Sequence, residues 1–393
     1  MGYGFTVADV AFLGSAGGVA ALAGIEKLEL TSASYLADVA TARRQAGDKA
    51  AMLLETVLLR RKATSKLDEP AGWLFTDEAL QQATPARVAE HRARRFAGRV
   101  VHDVTCSIGT ELVHLARTAE LAVGSDLDEV RLAMARHNTG APIVRADALR
   151  PVTKNAAVLA DPARRDSAGR RTWRPADFAP PLDSLAEIYR GRDLAVKCAP
   201  GIDPRDVPWA REIELVSLDG HVREACLWNG DLATAGKRAT VLKSDVDSWT
   251  ITDAEPDDCP VTAPAEWIVD PDGAVVRAGL VRHYAARHGL AQLDPRIAYL
   301  TGDRPPPGVR AFRVIEHGRY TEKALRQMLG RHDVGRLEIL VRGLDIDPNS
   351  LRPRLKLRGA AEASVVLTRI GNTPTALLCK AERISTTPAV GAT

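Results

Sequence analysis

The chain has 393 residues, of which 45% are hydrophobic and 26% charged, and its formal net charge is +3. That length exceeds what one small core can organise, so two or three domains are expected, and the composition excludes collagen-like, fibrous and wholly disordered classes. Five cysteines, Cys106, Cys198, Cys226, Cys259 and Cys379, stand far apart without a CxxC pair, which argues against a disulfide framework or a zinc site and fits a reducing, cytoplasmic setting.

The apolar run from Phe12 to Ile25 is shorter than the roughly 20 residues of a membrane span and has no basic flank before it, so it reads as a helix packed in the protein rather than a span or secretory leader. Residues 1–98 read as a helical domain. Ala50 to Arg61 places apolar side chains at helical spacing, and Thr76-Asp77-Glu78-Ala79-Leu80 has the form of a capped helix start. Two basic groups, one including Lys66 and the other Arg92 and Arg95, define either a solvated face or a phosphate-binding one.

From Arg99 to about residue 250, short apolar runs alternate with helical segments, the pattern of a parallel sheet with crossover helices. The expected strands are 100–104, 121–124, 143–145, 157–160 and 194–196. A hairpin of 212–218 and 222–228 follows, turning at Asp219-Gly220. The Asp- and Pro-rich residues 251–264 read as a linker. Residues 265–384 mix strands, such as 337–341 and 364–368, with a helix at 321–329, and so read as an α+β domain, with 385–393 as a disordered tail. Charge is uneven along this half: residues 240–303 carry 5 basic and 11 acidic side chains, and residues 304–393 carry 16 and 8. Arg352, Arg354, Lys356 and Arg358 alternate, which on a strand would put all four on one face.

The segment with most chemical content is Asp103-Val104-Thr105-Cys106-Ser107-Ile108-Gly109-Thr110, at the junction of the first strand and the next helix. Ligands of open α/β sheets bind beyond the carboxyl ends of the strands, and a glycine there lets backbone amides come close. The loop lacks the G-x-G-x-x-G spacing of a dinucleotide site, so a nicotinamide cofactor is not expected. Acids recur at the next strand tips: Asp126-Leu127-Asp128, then Asp147-Ala148, then Asp161-Pro162-Ala163-Arg164-Arg165. A carboxylate after the second strand suits two ribose hydroxyls. Asp126 is favoured for that role by position, while Asp128 equally fits a helix cap.

These residues resemble those of class I methyltransferases. The loop is similar to the D-P-F-C-G-S-G-T motif of RNA methyltransferases that carry a THUMP domain, matching at Asp103, Cys106, Gly109 and Thr110 and departing at Ser107. Over its length the chain resembles a bacterial group of methyltransferases with a THUMP-like C-terminal domain. The resemblance is carried by residues 75–84, 92–96 and 161–165, by Val196-Lys197-Cys198-Ala199-Pro200-Gly201, and by Leu355-Lys356-Leu357-Arg358. It implies a Rossmann-like sheet of seven strands and S-adenosylmethionine held by Asp103, Thr105, Cys106, Gly109, Thr110, Asp126, Leu127, Asp147 and Ala148. It also implies an RNA partner, tRNA or rRNA; the basic residues expected to contact it are Lys66, Arg92, Arg95, Arg165, Arg354, Lys356 and Arg358, and neither a membrane nor a metal partner is expected.

Asp161, Pro162, Arg164 and Lys197 are the expected catalytic group. Where relatives methylating base amino groups have D-P-P-Y or N-P-P-Y, this chain has Arg164 in place of the aromatic residue. Methylation of an RNA base is the leading reading. Ribose 2′-O-methylation is the alternative, with Lys197 beside Asp161 and Lys66 or Glu224 completing the group. Cytosine C5 methylation would need Cys198 as nucleophile. An inactive RNA-binding protein and a small-molecule methyltransferase are the readings of other classes.

Overall fold

A computed structural model describes residues 2–163, 174–244 and 248–384; Arg164, Arg165 and residues 385–393 therefore lie outside the described residues. Its contacts form two compact units, the first Met1–Leu218 with Arg223–Thr234, the second Asp219–Val222 with Ala235–Thr393. The helical first hundred residues thus belong to the same unit as the strands that follow, and this unit ends at Thr234.

The first unit opens with α1 (Val7–Leu13), α2 (Ala16–Ile25), α3 (Tyr35–Ala46), α4 (Ala50–Ala63), α5 (Asp77–Gln82) and α6 (Ala86–Arg94). Thr6 and Asp9 form a reciprocal capping box at the start of α1, and Ser15 caps α2 by accepting a bond from the Gly18 amide at 3.1 Å. The two helices bend by 79° at Gly14-Ser15, and among the described residues no single helix is long and apolar enough to cross a membrane. Leu13, Leu22, Ile25, Met52, Leu53 and Phe75 share a core with Ile108 and Met134, which come from the sheet portion. Asn138 fastens the same seam: its side chain accepts from the Leu74 amide at 2.8 Å and donates to the carbonyls of Leu74 and Ile108, both at 3.0 Å.

The sheet comprises β1 (Val100–Asp103), β2 (Leu121–Asp126), β3 (Ile143–Arg145), β4 (Ala157–Ala160), β5 (Leu194–Cys198), β6 (Glu212–Leu218) and β7 (His221–Asn229), with α7 (Leu112–Thr118), α8 (Glu129–Thr139) and α9 (Leu182–Ile188) between them. Within this unit the strand order is β3-β2-β1-β4-β5-β7-β6. The first five strands run parallel and β7 antiparallel to β5. Strands β4 and β5 are buried along their whole length, as continuous apolar runs covered on both faces should be. The order reverses between β1 and β4, so the carboxyl ends of these neighbours diverge and leave a crevice.

The second unit contains the hairpin β8 (Lys237–Leu242) and β9 (Trp249–Thr252), then β10 (Trp267–Val269), α10 (Gly273–Ala278), α11 (Val281–Arg287), β11 (Ala291–Asp294), β12 (Ile297–Gly302), β13 (Arg310–Arg319), α12 (Glu322–Arg331), β14 (Val334–Arg342), α13 (Pro348–Leu355), β15 (Ala361–Ile370) and β16 (Thr373–Arg383). Its sheet has the order β11-β12-β10-β13-β16-β15-β14, with β14 and β15 parallel. Residues 260–262 are not a free linker, because Pro260 and Thr262 exchange backbone bonds with Gln292 at 2.9 and 3.0 Å.

The strand expected through Arg352, Arg354, Lys356 and Arg358 is instead the end of α13. Asp347 caps that helix, Pro348 occupies its first turn, and Leu351 and Leu355, four residues apart, are buried. Arg352 donates to the Leu337 carbonyl, Arg354 lies 3.4 Å from Glu322, and Lys356 ends the helix with φ of 50°. The four cations therefore do not form one stripe.

A side chain at Gly18 would place its Cβ 2.0 Å from the Phe12 carbonyl oxygen. Gly18→Ala is therefore expected to lower stability by roughly 2 kcal/mol or more, read as a reduced urea midpoint at unchanged slope.

Candidate active site

Between β1 and α7 the chain makes a tight loop whose shape depends on Gly109. This residue has φ of 90°, and an added Cβ would lie 2.4 Å from Thr139 Cγ2. The loop and the neighbouring strand tips enclose a cavity of about 360 Å³ lined by Asp103, Thr105, Cys106, Thr110, Asp126, Leu127, Asp147, Ala148 and Asp161, among others. All the residues expected to hold the cofactor except Gly109 are in this wall, and Gly109 shapes it from behind.

The acids are fixed before any ligand arrives. Asp126 accepts from the amides of Ser107 and Asp128, both at 3.0 Å, which locks the second strand tip to the loop. Asp147 accepts from the Leu149 amide at 2.9 Å, and the Asp161 amide donates to Thr105 Oγ1 at 2.6 Å. Asp128 caps α8 through the Val130 and Arg131 amides and is absent from the cavity wall, so of the two candidates at that tip Asp126 is the one that faces the pocket. Leu127 is 60% exposed within the wall, an apolar surface open to a flat ring. Burial, reinforced by Glu111, pushes the Asp103 carboxyl well above the usual range. Burial likewise raises the Cys106 thiol, helped by Asp103 and Asp126, which fits packing rather than nucleophilic work.

A second cavity, of about 190 Å³, shares Gln82, Ala83 and Asp161 with the first and is otherwise lined by Lys66, Thr84, Lys197, Cys198, Arg223 and Glu224, among others. Lys197 is 5% exposed, and its ammonium sits 2.5 Å from Asp161 Oδ2 and 3.2 Å from Glu111 Oε1 while also donating to Thr84. Arg92 holds Glu111 at 2.5 Å with one terminal nitrogen and Glu224 with the other. Burial would raise Glu111, but Arg92 and Lys197 outweigh it and hold the carboxyl at about 2. Lys66 donates to the carbonyls of Leu80 and Gln81 at 3.0 and 2.9 Å, and burial, followed by the charges of Lys197 and Arg223, brings its amine down to about 8.

Two expected RNA contacts prove internal. Arg92 is 2% exposed and committed to Glu111 and Glu224. Arg95 meets Glu212 at 2.7 and 3.0 Å, stacks 4.0 Å from the Trp228 ring and donates to the Leu232 carbonyl. Their partners explain why: Glu212 and Glu214 alternate along the apolar strand β6 and are fully buried, so they require cations. Pro162 is buried next to Asp161. Glu111, Thr84 and Arg223 were not singled out from the sequence; Glu111, directly after the loop motif and at the mouth of a buried sheet, is the one a charge-pairing search could have found.

A sheet that reverses between β1 and β4, with a glycine-bearing loop and acids on successive tips, is that of a class I methyltransferase. Residues 6–63 match a family model described as a domain of unknown function (DUF8688), and residues 309–381 one described as THUMP domain-like. A protein of Mycobacterium tuberculosis described as an uncharacterized S-adenosylmethionine-dependent methyltransferase is 56% identical over 361 residues, covering 87% of this chain and 100% of that protein. A crystal structure from Porphyromonas gingivalis, designated a methyltransferase, matches with a TM-score of 0.69 over 90% of this chain and 98% of that one, at 20% identity. The chain belongs to the S-adenosylmethionine-dependent methyltransferases, and S-adenosylmethionine is its cofactor.

Asp126→Ala, which frees the Ser107 amide, and Gly109→Arg are each expected to abolish cofactor binding by calorimetry while circular dichroism still reports a folded chain. Because the Asp103 carboxyl is raised and the cofactor carries positive charge, affinity should increase as pH rises through the Asp103 titration and fall below it. Asp103→Asn should flatten that dependence, and an unchanged slope would refute it.

Proposed function

We propose that the chain transfers the cofactor's methyl group to RNA, and that the acceptor is a ribose hydroxyl rather than a base. The observation that carries this reading is the gathering of Lys66, Asp161, Lys197 and Glu224 around one small cavity that adjoins the cofactor pocket.

The cofactor supplies an electrophilic methyl on a sulfonium, so the protein must align an acceptor and, for a hydroxyl, take its proton. A hydroxyl in water holds its proton far too tightly to react near neutral pH, and nearby positive charge lowers that cost. The Lys197 ammonium, held on Asp161, supplies such a charge. Lys66 suits the role of base, since its amine titrates near 8. A neutral amine still has two N–H groups for the Leu80 and Gln81 carbonyls, which leaves its lone pair for the proton. In the transfer the acceptor oxygen bonds to the methyl carbon, the carbon–sulfur bond breaks, and the proton passes to Lys66. Asp161 is less suited to a base amino group, because one of its oxygens is already engaged by Lys197.

The RNA class is supported by the THUMP domain-like match over 309–381 and by the excess of 16 basic over 8 acidic residues in 304–393. Within that region Lys356 and Arg358 are exposed and suited to phosphate.

Nucleoside mass spectrometry of RNA from cells lacking the protein is expected to show loss of one 2′-O-methylated nucleoside, restored by pure enzyme and labelled cofactor. A lost methylated base would instead favour the base reading, and an unchanged profile with no transfer would reject RNA modification. Lys197→Ala and Lys66→Ala should each lower kcat by roughly 10²-fold or more, whereas Cys198→Ser should not. With Lys66 as base the rate should climb as pH rises through about 8, and Lys66→Arg should abolish that limb.

A further inference from the structure

Seven charged side chains from six separate parts of the chain face one another here. Lys66 follows α4, Arg92 is on α6, Glu111 precedes α7, Asp161 follows β4, Lys197 is on β5, and Arg223 and Glu224 are on β7. Four are cations and three are anions. Lys197 and Asp161 satisfy each other at 2.5 Å, which leaves Glu111 and Glu224 as the acids that could compete for Lys197. Arg92 lines neither cavity, touches no part of the acceptor space, and yet binds both of these acids through its two terminal nitrogens.

We infer that Arg92 is a positioning residue: by engaging Glu111 and Glu224 together it leaves the Lys197 ammonium to Asp161 and the acceptor. Without it two buried carboxylates would share one nearby ammonium, and Lys197 would be drawn off Asp161 towards Glu111, already only 3.2 Å away. The effect would reach Lys66, because Lys197 is one of the charges that keep that amine easy to deprotonate. A lysine at position 92 could not replace the arginine fully, since one ammonium does not span two acids as a planar fork does.

The inference rests on the second cavity being the acceptor site, so its test includes an arm that needs no acceptor. In the full chain, acylation of Lys66 by a small reagent is followed against pH by peptide mass spectrometry. The wild-type midpoint should lie near 8. Arg92→Met should lower the reactivity at that pH by roughly threefold or more, through a midpoint displaced upwards. The double variant Arg92→Met with Glu111→Gln removes one of the two competing charges and should recover part of the wild-type profile, and Arg92→Lys should fall between wild type and Arg92→Met.

The second arm is label transfer from the cofactor to RNA. Arg92→Met should cut kcat by about 10-fold or more with the cofactor KM unchanged, again recovered in part by the double variant. If Arg92→Met does not fold, the double variant and Arg92→Lys carry the comparison. A Lys66 profile identical in wild type and both of these variants would overturn the inference, as would a joint fall of kcat, cofactor affinity and thermal midpoint without recovery. A base-methylated product would overturn the hydroxyl reading alone, because the acylation arm judges Arg92 whatever the acceptor.

Discussion

The first unit depends on how it neutralises charge inside itself. Glu111, Glu212, Glu214 and Glu224 are all buried, and each is tied to an arginine from the helical segment before the sheet, Arg92 for Glu111 and Glu224 and Arg95 for the pair on β6, with His91 also hydrogen-bonded to Glu214. A buried ion pair contributes little net stability, but removing one partner leaves a charge in a medium that cannot solvate it, at a cost of roughly 3–5 kcal/mol. The helices are therefore held in register with the sheet by electrostatics as well as by the shared apolar core. That register brings Lys66 and Thr84 to the cavity where Lys197 and Asp161 meet.

The cavity at the strand tips follows a different logic. Its geometry comes from backbone: the reversal of strand order opens a crevice, Gly109 takes a conformation other residues rarely adopt, and Asp126 bonds the loop to the neighbouring strand. The first and second cavities meet at Asp161, whose amide is held by Thr105 and whose carboxylate is held by Lys197. One residue thus joins the wall of the first cavity to that of the second.

Much of this was legible in the sequence because it is local. Alternation of apolar runs with helical segments marks β1 to β5 and the Asp219-Gly220 turn marks β6 and β7, and the acids at Asp103, Asp126, Asp147 and Asp161 stand out because each lies at the end of such a run or just after it. What was not legible is what depends on contacts distant along the chain. Arg92 and Arg95 look like surface cations until the glutamates of β6 and β7, more than a hundred residues later, are brought against them. The alternating Arg352 to Arg358 pattern suggested a strand, but local capping by Asp347 and Pro348 and the spacing of Leu351 and Leu355 favour a helix. Lys66 belongs to a basic group in the sequence and is also a candidate to join Lys197 and Asp161; its packing beside Lys197 and Arg223 places it in the wall of the second cavity.

The Asn138 amide, which bonds to Leu74 on one side and Ile108 on the other, bears on how such a chain can be cut or recombined. A fragment beginning at β1 would keep the outline of the sheet yet lose the segment that steadies the cofactor loop and the arginines that compensate its interior acids. The helical layer is thus inseparable from the sheet it covers, and exchange of modules between related proteins should keep the two together.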